Sequence, residues 1–170
     1  MYALTLFVAE VFAVPVQINR TFAYEDLEPL PPRVFPSEDA PAVYHMLQQL
    51  PARAVVVEFP FGIDGVELRY MFYSTIHWRR LLNGYSGGFP KTYLRNRAAL
   101  LHLRSDPDEA WAILAESGAT HAVVHTSAYP RSRRAMVGHW LREHGARLLR
   151  RVGNDLVFEL PVPAPAQAVP

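Results

Sequence analysis

The chain has 170 residues, half of them apolar, and a formal net charge of +1. That is enough for one domain with its own core and too little for two, and no overall charge draws it to nucleic acid. The absence of cysteine excludes disulfides, thiol nucleophiles and Cys-ligated metals, and the fifteen prolines are densest in residues 29–41 and 161–170, which read as part of a linker and a frayed tail.

Residues 2–18 are apolar except for Thr5, Glu10 and Gln17, and Pro15 interrupts the run before it reaches the roughly 20 residues of a membrane span. A signal peptide needs a basic start, and the first basic residue, Arg20, follows the run. Two readings remain: a helix docked on a soluble core, or the outer part of a transmembrane helix that begins upstream. The second explains more, because the flank holds Arg20 against Glu25, Asp26 and Glu28, and a loop poor in Lys and Arg favours the extracytoplasmic side. Residues 1–19 are therefore read as an apolar helix and residues 20–36 as a Pro-rich linker.

Beyond the linker, the spacing of Val43, Leu47 and Leu50 predicts a helix capped by Ser37 or Asp39 and stopped by Pro51. Residues 54–58 are a β-branched apolar run ending in Glu58, as in a strand buried on both faces. A carboxylate there needs a partner, with Arg69, His77, Asn83 or a tyrosine hydroxyl as candidates, or else it faces a cleft. Residues 67–78 are expected to be helical, with Tyr70, Tyr73, Ser74 and His77 on overlapping faces. Residues 92–104 are expected to follow as a helix, with Leu94, Leu100, Leu101 and Leu103 as its apolar positions.

Asp106-Pro107-Asp108-Glu109 is the clearest helix start, with an acidic cap, a proline at the first position and a capping-box glutamate. Trp111, Leu114 and Ala115 are expected to face inward, and Gly118 closes the helix. Residues 120–126 then read as a buried strand, which makes a parallel pairing with residues 54–58 the economical topology. A last helix over residues 132–144, with Met136, Val137, Trp140 and Leu141 inward, precedes a β-hairpin of residues 147–152 and 156–160 joined through Gly153, Asn154 and Asp155. The expected fold is a single α/β domain, residues 37–160, with a mixed, mostly parallel sheet, flanking helices and a C-terminal hairpin.

Three patterns bear on chemistry. Gly84-Tyr85-Ser86-Gly87-Gly88 matches a nucleophile elbow, with Asp106 or Asp108 and His121 or His125 following in a permissible order, but the glycines and Pro90 delay the helix that an elbow requires. A small serine hydrolase using Ser86 is one alternative; a glycine-rich turn is the simpler reading. His121 and His125 share a strand face about 13 Å apart by strand rise, too far for one metal ion. Glu58 with His77 fits an acid–base pair or, more simply, a buried structural carboxylate. Arg131 to Arg151 holds seven arginines against Glu143, a solvated face or one drawn to anionic headgroups beside a membrane.

The apolar N-terminus, the linker, Glu58-Phe59-Pro60, Tyr73 to His77, Asn83 to Gly87 with Phe89 and Pro90, and Gly118 to His125 together resemble the C-terminal end of bacterial polytopic membrane proteins of the glycosyltransferase-like, polyprenyl-phosphate-sugar-dependent type. The resemblance implies a noncatalytic extracytoplasmic accessory domain, with the catalytic acid in an early loop absent here. Its candidate binding residues are Glu58, Tyr70, Ser74, His77, Asn83, Tyr85 and Ser86. The implied partners are membrane lipid or membrane-embedded helices and a saccharide or polyprenyl-phosphate sugar, with no nucleic acid, cofactor or metal. A structural or interaction domain without a ligand is the remaining alternative.

Overall fold

Strand β1, Val55–Phe59, lies inside a five-stranded sheet because Val-Val-Val-Glu-Phe offers apolar side chains to both faces. The computed structural model describes residues 27–28, 34–85 and 88–161. The expected helix over residues 2–18, most of the linker and the tail beyond Pro161 lie outside them. The other strands are β2 (Arg80–Leu81), β3 (His121–His125), β4 (Arg147–Val152) and β5 (Asp155–Glu159), in the order β2-β1-β3-β5-β4. β1 pairs in parallel with both β2 and β3, whereas β5 runs antiparallel to β3 and β4. The mixed sheet with its C-terminal hairpin is the expected one.

Helices cover both faces. Val57, Phe59, Ala122, Val124, Leu156 and Phe158 point to one side, where α3 (Lys91–Leu101), α4 (Pro107–Glu116) and α5 (Met136–Glu143) pack. Val56, Val123 and Val157 point to the other, under α1 (Ala42–Leu47) and α2 (Asp64–His77). Val56, Val57, Val123 and Val124 are fully buried, each contributing on the order of 1.5–3 kcal/mol.

Several local expectations shift. Neither Ser37 nor Asp39 caps α1: a separate 3-10 turn holds Ser37–Asp39, Ala40 is extended at ψ 151°, and Pro41 occupies the cap. The proline ring disfavours a helical residue before it, so the two turns cannot merge. Helix α3 ends at Leu101, and Leu94 and Leu101 are exposed rather than inward. Its inward side is Tyr93, Asn96, Ala99 and Leu100, the rotation that lets the Tyr93 hydroxyl reach Glu67. The helix expected over residues 132–144 divides into a 3-10 turn, Arg131–Arg133, and α5.

The start of α4 follows the sequence: Asp106 Oδ1 accepts the Glu109 N–H at 2.9 Å with Pro107 at the first position. Its inward residues are Ala110, Ile113 and Leu114, while Trp111 is half-buried against the edge of the core. Gly118 stands at φ +76° just past the C-terminus, the left-handed conformation that glycine adopts most readily.

Candidate functional site

Strand register fixes the site. Glu58 sits opposite Val123 across β1 and β3, and alternation puts His125, two residues on, on the same face as Val123. On the far side of β3, His125 pairs directly with Asp155 of β5. Three adjacent strands thus bring Glu58, His125 and Asp155 together on the face covered by α1 and α2.

The imidazole of His125 bridges both carboxylates: Nε2 lies 2.8 Å from Glu58 Oε2 and Nδ1 3.0 Å from Asp155 Oδ1. Burial alone pushes its pKa down, but the hydrogen bonds to Asp155 and Glu58 and their charges outweigh it and hold it at about 9. At neutral pH His125 is therefore an imidazolium that donates to both sides. Glu58 is fully buried and also accepts from the Tyr44 hydroxyl at 3.2 Å. Burial, with the charge of Glu58 next, raises the pKa of Tyr44 and Tyr70 well above normal, so both phenols stay protonated.

The expected tyrosine partner of Glu58 is thus Tyr44, and His125 is the partner that sequence reasoning missed. Asn83 serves the backbone instead: its Oδ1 accepts from the Glu58 N–H at 2.6 Å and its Nδ2 donates to the Glu58 carbonyl at 2.9 Å. With the Leu82 N–H on the Val56 carbonyl at 2.7 Å, this amide prolongs the pairing of β1 beyond the two-residue β2. Asn83 Nδ2 also reaches Oε1 of Glu67, a second fully buried carboxylate, at 3.3 Å. Glu67 takes the Gly62 N–H at 2.8 Å and the Tyr93 hydroxyl as well, tying α2 to two loops and α3.

His77 is buried, and burial lowers its pKa. Its Nδ1 accepts from the Arg79 N–H at 3.0 Å, which places the proton of the neutral ring on Nε2, a buried donor with no partner among the described residues. No hydrogen bond joins it to Glu58. Glu58 Oε1 and the Tyr70 hydroxyl are likewise buried without partners among the described residues.

Beside this cluster, where β1 and β3 end, lies a cavity of about 570 Å³. Tyr44, Tyr70 and Tyr73 wall it with Phe35, Arg69 stands on its lining, and His125 and Asp155 lie at its polar end with the Gly153-Asn154 turn. Tyr70 stacks on the His125 ring at 5.0 Å, and Tyr44 stacks on Tyr73 at 4.4 Å. Carboxyl ends of parallel strands are where open α/β sheets leave crevices for ligands.

The candidate residues therefore divide. Tyr70 lines the cavity, Glu58 lies under it and His77 is close by, facing the Tyr44 ring at 6.3 Å. Ser74 donates within α2 to the Met71 carbonyl at 2.7 Å. Tyr85 packs with Phe89 and Tyr93 against the opposite core, and Ser86 lies outside the described residues. The imidazoles required by a hydrolase are engaged elsewhere: His125 with its two carboxylates and His121 with Thr120 Oγ1 at 2.8 Å. Asp106 is the cap of α4. Among the described residues no group of His, Cys, Asp and Glu is placed to hold a metal ion, and no helix is long and apolar enough to cross a membrane.

No family model and no curated protein matches this sequence. Among solved structures, the chain is similar to the C-terminal globular domain of an oligosaccharyltransferase from Archaeoglobus fulgidus, at TM-score 0.43 and 9% identity, over 71% of this chain and 95% of that one.

Proposed function

We propose that this chain is a noncatalytic domain of a membrane glycosyltransferase-like protein and that its cavity takes an uncharged, hydroxyl-rich saccharide segment. The observation that carries the ligand reading is the composition of the cavity: an aromatic wall of Phe35 and three tyrosines ending on a histidine whose charge is matched by carboxylates on both sides. The Phe35 ring, 45% exposed, suits the C–H surface of a sugar with the nearly buried tyrosines as its apolar backing, and Asp155 with the turn carbonyls suits its hydroxyls. The imidazolium has no spare charge to offer a phosphate, which leaves the Arg69 guanidinium on the lining as the cation that a sugar phosphate would meet. Glu58, Tyr73, His77 and His125, which belong to the motifs that carry the resemblance to membrane glycosyltransferase-like proteins, lie on this one face of the sheet, and Asn83 bonds the backbone of Glu58 at its edge. An imidazole engaged at both nitrogens makes a poor general base, which supports the noncatalytic role.

Titration of the full chain with neutral oligosaccharides and with sugar phosphates, followed by NMR or calorimetry, tests this. Saturable binding of the neutral sugars is expected, weakened by Phe35→Ala without loss of thermal stability, since Phe35 is exposed at the cavity mouth. Absence of saturable binding, or perturbations confined to another face, would leave a structural network only.

A further inference from the structure

Helix α2 is apolar on two sides. Its inner side rests on the sheet through Val66, Tyr70 and Tyr73, yet its outer side carries Leu68, 55% exposed, and Phe72, 43% exposed, one turn apart. Half-buried Met71 and Ile76 flank them. A helix apolar all round is ordinarily covered all round. At its end Trp78 is 79% exposed and stands in the left-handed region at φ 53°, where its own N–H closes the helix on the Ser74 carbonyl at 2.9 Å. Three large apolar side chains thus lie open along one element.

The charge at the Trp78 end is basic. Arg80 is exposed next to Trp78, and Arg79 bonds the carbonyls of Gln48, Leu50 and His77, which leaves its charge unneutralised by those partners. Of the acids of α2, Glu67 is fully buried, and Asp64, one turn before Leu68, is paired with Arg97, whose guanidinium lies 3.3 Å from its Oδ1. An indole at the edge of an apolar face, with arginines beside it, matches a bilayer boundary in which the ring sits at headgroup level and the cations meet phosphates. A second copy would bring the same arginines and suits this face less.

We propose that the outer face of α2 lies on an anionic lipid surface, with Leu68 and Phe72 toward the acyl chains and Trp78 with Arg80 among the headgroups. This assigns a docking surface that the saccharide reading does not use, and either can fail alone.

The test uses the full chain with vesicles of phosphatidylcholine alone, of phosphatidylcholine with phosphatidylglycerol, and of the latter with brominated acyl chains. Expected are tighter binding to the anionic vesicles and bromine quenching of tryptophan fluorescence that Trp78→Phe removes. Leu68→Ser with Phe72→Ser should weaken vesicle binding at least several-fold while the melting temperature falls by only a few degrees, because about half of each side chain is already in water. Because the part of the quenching lost in Trp78→Phe reads residue 78 among the three tryptophans, a chain that sediments with vesicles while Trp78→Phe leaves the quenching unchanged would overturn the proposal. So would absence of vesicle binding, equal affinity for neutral vesicles, or self-association in solution that the same substitutions abolish.

Discussion

His125 links a proton to the stability of the fold. Its pKa is raised from the ordinary 6.5 to about 9, so its contribution is fully present below pH 6.5 and lost as the pH rises through 9. That gap corresponds to about 3 kcal/mol. Urea unfolding followed from pH 6 to 10 should show this decline, and His125→Gln should flatten it. His77 and His121 act in the opposite sense, since burial lowers both and each must take up a proton on unfolding in acid. Their contribution is present above pH 6.5 and lost as the pH falls through their lowered values. Glu58→Gln should cost about 1–3 kcal/mol and lower the pKa of His125, read directly from its imidazole nitrogen shifts. A carboxylate at the end of an all-apolar run was legible in the sequence as a group in need of a partner. The partner was not, because Glu58 and His125 are 67 residues apart and meet only through the register of two strands.

At the scale of elements, what the sequence announces is what local chemistry decides. The cap at Asp106 and the glycine after α4 were readable because neighbours within four residues determine them, and Asp106→Ala should destabilise the protein by about 1 kcal/mol in thermal unfolding. The inward side of α3 was hidden because a distant bond, Tyr93 to Glu67, sets its rotation. Asn83 was seen as a donor for the Glu58 carboxylate, whereas it replaces a missing strand residue by bonding the backbone on both sides. Gly84, next to it, is at φ +117°, and a Cβ there would come within 2.8 Å of Met71 Sδ. Gly84→Ala should therefore lower the melting temperature through both backbone strain and the contact with α2, more than Gly88→Ala, where a Cβ would meet nothing within 4 Å.

For the whole molecule, the mixed sheet was legible because a helix, a glycine and a buried strand in sequence imply a parallel crossover, and a Gly-Asn turn implies a hairpin. The cavity was not, since its walls come from α1, α2, β3 and the last turn at once. That distribution bears on how the chain is made. Emerging from the ribosome, β1 and β3 can align and bring Glu58 to His125, but Asp155 arrives only 30 residues after His125. Until then one nitrogen of a buried imidazolium lacks its carboxylate, and the outer edge of β3 lacks the strand that covers it. A nascent chain arrested before Asp155 has emerged should be cut readily by protease, whereas one from which Glu159 has emerged should resist: the hairpin is the latch that closes this domain behind its own synthesis.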